Sequence, residues 1–249
     1  MMENLPHSVK ELIGDRDWTD MSCHSQATVY ALGEDLFLKI GAKGSLQAEA
    51  NMTALLAQEN LAVQVLLYLS EDKDYLLTEA ARGQTLTTLT DNPDLLCHLY
   101  GRALRQLHDR QLHDHQLSAE LSPQHTEYLE LYKKFNIEHA TEREYLLERY
   151  PLPASIKDAP PCELSANIFI HGDACLPNIL HDARTITFID WGQAGFGDAA
   201  IDLYWAIWSL AYNLHTEEYT DLFLASYGWD RVDEEKIAWI SWLSALPEG

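Results

Sequence analysis

The sequence predicts an α+β protein built as two lobes, a small β-rich N-terminal lobe and a larger, mostly helical C-terminal one. Three observations carry this. Short β-type runs separated by turn residues fill the stretch from Ala27 to Glu79. After Thr85 the apolar residues switch to helical spacing. The 249 residues, 47% of them apolar, suffice for one large domain or two tightly coupled lobes. Gly83 and the polar run after it mark the expected break, which assigns residues 1–82 to the first lobe and 83–249 to the second.

In the first lobe, ATVYAL and DLFLKI meet at Gly33 and Glu34, and AVQVLLYL and YLLTE flank the polar turn Glu71 to Asp74. Each pair predicts a hairpin. One helical pattern, Leu46 to Gln58, lies between them. The second lobe opens with Leu95, Leu96, Leu99, Tyr100, Ala103, Leu104 and Leu107 on one face of a helix. Ser118 to Tyr150, rich in Glu and Tyr, predicts two helices with solvated outer faces. Pro151, Pro153, Pro160 and Pro161 then impose a loop. NIFIHGD and TITFIDW follow as two β runs separated by DACLPNILHDAR, an island of short strands that marks a site to be held. From Ala199 onward, IDLYWAIWSLAY, EYTDLFLASYG and EEKIAWISWL predict three helices, with Trp205, Trp208 and Tyr212 of the first read as core.

Charge narrows the function. Lys+Arg 17 against Asp+Glu 39 gives a formal charge of -22, the opposite of the footprint that phosphate backbones select, so nucleic acid is excluded as a main partner. The same carboxylates would draw a cationic ligand from solution. The chain opens without a basic n-region and apolar h-region. The longest apolar stretches, Leu61 to Leu69 and Ile201 to Tyr212, are broken by Gln64 and by Asp202 and Ser209. A soluble, cytoplasmic protein with no membrane partner, a monomer or weak dimer, is expected. Cys23, Cys97, Cys162 and Cys175 form no C-x-x-C pair, so neither structural zinc nor a disulfide framework is expected. His108, His113 and His115 cluster without metal spacing and are read as a solvated helix end.

The strongest chemical signal is HGDACLPN, His171 to Asn178, followed twelve residues on by Asp190 in FIDWG. Phosphoryl transfer needs a carboxylate to orient the incoming hydroxyl and take its proton, and oxygen ligands for Mg²⁺. Asp173 and Asn178 stand at the D-x-x-x-x-N spacing that serves those tasks, and Asp190 stands where a charged metal ligand belongs. Lys39 and Glu49 add an independent signal. In DLFLKI, alternation puts Phe37 and Lys39 on one face and Leu36, Leu38 and Ile40 on the other. Glu49 shares a helix face with Met52 and Leu56, where an unpaired charge is costly, and Lys39 is its natural partner.

These residues, with SQATVYAL, LQAEANMTALL, YLLTEAARG, LYGRALRQLH and FIDWGQAGFGDAAIDL, resemble the aminoglycoside phosphotransferases, antibiotic-resistance kinases with a protein-kinase-like fold. The resemblance spans about residues 20 to 240. HGDACLPNI is similar to the catalytic loop of the 3'-phosphotransferases acting on kanamycin and neomycin. The resemblance implies ATP as phosphoryl donor, Mg²⁺ as cofactor and an aminoglycoside as cationic substrate. It implies that Asp173 is the catalytic base and that Asn178 and Asp190 are metal ligands. Lys39 would contact the nucleotide phosphates with Glu49 holding it, and Phe37 would lie against adenine. Main chain at Thr78 and Ala80 would meet the adenine edge, and Ser25 would contact a phosphate.

The substrate side departs from the family. An acidic, aromatic C-terminal tail is typical of the 3'-phosphotransferases, whereas this chain reads Leu243 to Gly249 without the acidic pair, closer to the streptomycin 3''-phosphotransferases. Glu120, Glu127, Glu130, Glu138, Glu142, Glu144 and Glu148 lie where the family places its substrate-binding insertion. Kinases of choline, macrolides or other small alcohols share the HGD-x-x-x-x-N motif and stand as alternatives, as does a non-catalytic kinase-like binding protein.

Overall fold

The computed structural model describes residues 5–22, 27–111, 121–136, 164–182 and 185–245. In chain order its main elements are α1 (His7–Ile13), β1 (Trp18–Asp20), β2 (Thr28–Leu32), β3 (Leu36–Ala42), α2 (Gln47–Gln58), β4 (Val65–Ser70), β5 (Lys73–Glu79), β6 (Gln84–Thr85) and α3 (Pro93–His108). Then follow α4 (Pro123–Asn136), β7 (Ile168–Ile170), β8 (Ile179–His181), β9 (Ile186–Phe188), β10 (Gly195–Gly197), α5 (Ala199–Leu214), α6 (Thr220–Tyr227) and α7 (Glu234–Ser244). Two compact units result, residues 1–84 with 180–192, and residues 85–179 with 193–249.

The first unit is built on a five-stranded sheet of order β1-β2-β3-β5-β4, antiparallel at every pairing. Period-2 alternation gives it two faces with different jobs. Leu36, Leu38, Tyr75 and Leu77 pack on one face against Val9 and Ile13 of α1. The other face carries Leu76, which packs with Leu46 and Ala50 at the start of α2. Burying each such side chain is worth roughly 1.5–3 kcal/mol, so a helix on each face holds the sheet from both sides. The sequence reading began at Ala27 and missed α1 and β1, elements of 7 and 3 residues, too short to show a period. Gly83 has φ +102, and a Cβ there would lie 2.3 Å from the carbonyl oxygen of His181, so this glycine serves a close main-chain approach.

In the second unit α3 starts at Pro93, with the Asn92 side chain accepting from the Leu95 N–H at 3.3 Å. Gly101 lets α3 come against α6, because a Cβ there would sit 2.6 Å from the carbonyl oxygen of Phe223. The Tyr100 and Phe223 rings meet at 5.0 Å. A separate core joins Tyr128 of α4, Ile170 of β7, Ile201 of α5 and Trp239, Ile240 and Leu243 of α7. Asp198 caps α5 and Asp233 caps α7, each through its side chain. No helix among the described residues is long and apolar enough to cross a membrane.

Two expectations change. His108 is buried, bonded to Asp202 and Tyr227, instead of standing on a solvated helix end. Trp208 and Tyr212 are 46% and 63% exposed and stack at 5.3 Å, so that stripe of α5 is not core, while Trp205 is half-buried. Ile179–His181 forms a further short strand inside DACLPNILHDAR, between the two β runs that the sequence predicts. Glu127 and Glu130 lie exposed on α4, as read. Glu120, Glu138, Glu142, Glu144 and Glu148, with Cys23, Cys162, His113 and His115 and residues 246–249, lie outside the described residues.

Candidate active site

In the first unit the functional side chains gather on the α2 face of the sheet. Register pairs Lys39 with Leu76 and Phe37 with Thr78, and directly paired residues share a face, so Phe37, Lys39 and Thr78 lie on one surface. The Lys39 ammonium donates to Glu49 Oε1 at 2.6 Å and lies 3.2 Å from Asp190 Oδ1. Burial pulls the Lys39 pKa down, but the Glu49 and Asp190 carboxylates outweigh it and hold the ammonium above its usual range. Burial, then the charge of Asp190, pushes the Glu49 carboxyl up against the pull of Lys39. Two carboxylates thus surround one ammonium, and one negative charge is in surplus. Asp190 reaches its place in the left-handed region, φ 64, which costs a non-glycine residue about 1–2 kcal/mol and concentrates at sites that work.

Of the main chain expected to meet an adenine edge, one donor is engaged within the first unit. Thr78 lies within the ladder, paired with Phe37 on one side and Val65 on the other. The Ala80 N–H donates to the Asp35 carbonyl at 2.8 Å, which removes it as a ligand donor and leaves the carbonyl as its remaining main-chain group. Ser25 lies outside the described residues.

In the second unit, the loop His171 to Asn178 carries Asp173 and Asn178 together. The Asn178 amide donates to the Asp173 carboxylate (Oδ2) and to its carbonyl, both at 3.0 Å. With its nitrogen so used, the amide oxygen of Asn178 is its remaining side-chain ligand atom. The loop hangs from α5. Asp202, fully buried, accepts from the N–H groups of His171 and Gly172 at 2.8 Å each and from His108 Nε2 at 3.0 Å. Burial alone would raise the Asp202 carboxyl, yet His108 and these donors hold it below the usual range. Two turns on, Ser209 accepts from the Leu176 N–H at 3.0 Å. Tyr100 of α3 donates to the Ala174 carbonyl from the other side. Gly172 has φ +82, and a Cβ there would lie 2.1 Å from the Gln193 carbonyl oxygen. Cys175 is held neutral, its thiol pushed well up by burial and then by Asp173.

Asp202 and His108 escaped the sequence reading as site residues. A signal was present: an aspartate inside the apolar run IDLYWAIWSLAY has to find partners or stay out of the core. Asp198 is comparable, accepting from Lys236 at 2.7 Å and from the Ser165 N–H at 2.9 Å, which ties α7 and the approach to β7 to the start of α5.

Among the described residues no group of three or more His, Cys, Asp and Glu side chains forms a metal cage. Mg²⁺ does not require one, since it keeps waters and leans on one or two oxygen ligands plus phosphates. The first unit offers one hard oxygen donor of that kind, the Asp190 carboxylate, and the second unit, taken by itself, offers another, the amide oxygen of Asn178.

Comparison with known proteins shows the family. The profile of the phosphotransferase enzyme family (APH) matches residues 24–239. The chain is 30% identical over 248 residues to an aminoglycoside 3'-phosphotransferase from Niallia circulans, covering 94% of both chains. It is 29% identical over 255 residues to a probable aminoglycoside 3'-phosphotransferase from Lactococcus lactis subsp. lactis, covering 95% of this chain and 92% of that one. Its fold is shared with aminoglycoside phosphotransferase APH(3'')-Id from Streptomyces rimosus, solved with ADP and streptomycin, at TM-score 0.67 and 20% identity over 95% of this chain and 94% of the other.

Proposed function

The chain belongs to the phosphotransferase enzyme family, with a kinase-like α+β fold, and from that premise we propose that it transfers the γ-phosphoryl group of ATP to a hydroxyl of an aminoglycoside, the 3'-hydroxyl of a kanamycin- or neomycin-type drug, and so confers resistance. The names of its relatives from Niallia circulans and Lactococcus lactis support the substrate class. The single observation that carries the chemistry is the Lys39 ammonium held between Glu49 and Asp190. Lysine in such a setting is a fixed positive charge waiting for a phosphate.

In this reading Lys39 binds the ATP phosphates and Glu49 holds Lys39 upright. Phe37 lies against the adenine ring, whose edge meets Thr78 and the Ala80 carbonyl, and Ser25 contacts a phosphate. Asn178 and Asp190 are the oxygen ligands for Mg²⁺, which supplies charge neutralisation on the phosphates when bound. Asp173 orients the attacking hydroxyl and takes its proton as the oxygen bonds to the γ-phosphorus and the bond to ADP breaks. The transition state of such transfers is loose, so positioning and charge contribute more than proton removal. The acidity of the chain, a formal charge of -22, then favours the approach of a polycation, and the reaction belongs in the cytoplasm with a monomer or weak dimer as the working species.

ADP release measured against kanamycin, neomycin, streptomycin, a macrolide and choline, with Asp173→Ala as control, tests this reading. Stimulation by kanamycin or neomycin, lost in the variant, is expected. Stimulation by streptomycin alone would move the assignment to the 3''-hydroxyl, and stimulation by choline or the macrolide alone would replace it.

A further inference from the structure

Asp74, predicted as the end of the polar turn Glu71 to Asp74, lies instead at the start of β5, fully buried, and belongs to none of the chemical motifs named above. Its carboxylate accepts four hydrogen bonds. Oδ1 takes the Gly44 N–H at 2.9 Å and the Ser70 hydroxyl at 2.6 Å, and Oδ2 takes the Leu46 N–H at 2.9 Å and the Tyr68 hydroxyl at 3.0 Å. Burial raises the carboxyl pKa, but these donors together bring it below the usual range, so Asp74 is a charged, fully satisfied group.

The donors lie in two places. Ser70 and Tyr68 belong to β4, the neighbouring strand. Gly44 and Leu46 belong to the connection from β3 to α2. Asp74 pairs with Gly41 in the β3–β5 register, and the connection folds back over that glycine so tightly that a Cβ there would meet the Ser45 hydroxyl at 2.5 Å. Leu46 is the N-cap residue of α2, and no side chain of the helix's own start caps it. The carboxylate from β5 fixes this main chain instead, at the end of the helix where negative charge is favoured.

Lys39 pairs with Leu76, two residues along β5 from Asp74, and alternation puts Lys39, Leu76 and Asp74 on the same face. Glu49 is three residues beyond Leu46, about 4.5 Å along the helix. Helix α2 is therefore fastened to one sheet face at two points, Asp74 to Leu46 and Lys39 to Glu49. Apolar packing of Leu46 and Ala50 on Leu76 holds the helix down without directional bonds, and one polar fastening added to it still allows a pivot about that point. Two set its rotation, and with it the position from which Glu49 grips Lys39.

We infer that Asp74 is a positioning residue for nucleotide binding, acting through the start of α2 on the Glu49–Lys39 pair. This rests on the proposed role of Lys39 at the phosphates. Asp74→Asn puts an amide nitrogen against one of the two main-chain donors, Gly44 or Leu46, and removes the charge that both solvate, which should weaken ATP binding about tenfold. The same replacement in a Glu49→Gln background should change ATP affinity less than about twofold, because the gripping carboxylate is already gone. Ser70→Ala and Tyr68→Phe each remove one β4 donor while leaving the Leu46 bond, so they should lower the melting temperature and leave ATP affinity as it was.

Direct ATP binding by calorimetry, together with thermal melts of all variants, reads both effects. An equal loss of affinity from Asp74→Asn in both backgrounds, or affinity that follows melting temperature across the whole set, overturns the inference while leaving the Lys39 assignment intact. Lack of ATP binding by the unaltered protein overturns both. Should Asp74→Asn not fold, amide exchange in the unaltered protein decides: the Gly44 and Leu46 amides should exchange as slowly as the β3–β5 ladder, and rapid exchange at both sinks the proposal.

Discussion

Asp202 and His108 form a buried contact at 3.0 Å, and the same carboxylate holds the N–H groups of His171 and Gly172 just before Asp173. The position of Asp173 thus depends on a residue about thirty places further along the chain. Asp202→Asn puts an amide nitrogen against at least one donor and removes the charge that the others solvate. A loss of roughly 3–5 kcal/mol is expected. His108→Ala leaves the two main-chain donors in place and should cost only about 1–3 kcal/mol. Urea unfolding of both variants checks the order, and a larger loss for His108→Ala would show that the main-chain bonds matter little.

Gly172→Ala should be severe for a different reason. The φ of +82 already disfavours a side chain, and the 2.1 Å approach to the Gln193 carbonyl leaves no room for one. The loop must shift, and displacement of about 1 Å at a reacting group costs on the order of 10²-fold in rate. Gly33→Ala is the control. Its φ is +62, but its Cβ would have only the Asp35 carboxylate at 3.5 Å and the Arg16 side chain at 4.0 Å nearby, so about 1 kcal/mol of stability should go without loss of turnover. Stability and steady-state rates on both variants decide between backbone strain and steric displacement.

Acid should unfold the protein through its buried carboxylates. Asp74, Asp198 and Asp202 are each raised by burial but brought below the usual 3.8 by their donors: Ser70 and main-chain N–H groups for Asp74, Lys236 for Asp198 and His108 for Asp202. The folded state therefore binds these protons more weakly than the unfolded chain. Their contribution is complete above the usual value and is lost as pH falls below it toward the lowered folded values. Urea midpoints should stay level on this account from pH 6 to pH 5 and fall below about pH 4. Asp198→Asn should flatten that fall, and an unchanged slope would remove Asp198 from the effect.

The contrast between Lys39 and Asp202 shows how far the sequence could be read. Alternation in DLFLKI and the apolar stripe of α2 gave both ends of one ion pair, because each residue's face follows from its own neighbours. Leu36 and Leu38 are buried while Phe37 and Lys39 are half-buried, as the period requires. Asp202 offered only half of that information. Its burial was legible from IDLYWAIWSLAY, but its partners come from α3 and from the loop before Asp173, and no local period links them. The engagement of the Ala80 amide was illegible for the same reason, since its acceptor, Asp35, belongs to a different hairpin. Exposure of Trp208 and Tyr212 was illegible because an aromatic stripe has the same spacing whether or not something covers it.

Removal of Lys39 and removal of Asp173 should fail in different ways. Asp173→Ala takes away the proposed proton acceptor and should reduce turnover about 10²–10⁴-fold, with the KM for ATP little changed. Lys39→Ala removes the one ammonium that, among the described residues, pairs with Glu49 and Asp190, leaving two carboxylates that both prefer a cation. The loss should appear first in the KM for ATP, and a worse loss is expected as pH rises. Burial and Asp190 already push the Glu49 carboxyl up, and without Lys39 nothing in the pair pulls it back. Glu49 then holds its proton more readily, which relieves the repulsion, and its deprotonation as pH rises restores both charges. Glu49→Gln in the Lys39→Ala background removes that repulsion outright and should recover stability without recovering ATP affinity. Initial rates against ATP concentration at pH 6.5 and 8.5, with melting temperatures of the single and double variants, separate the two roles. A Lys39→Ala enzyme with unchanged KM for ATP at both pH values would take Lys39 out of the nucleotide site, whatever its bond to Glu49.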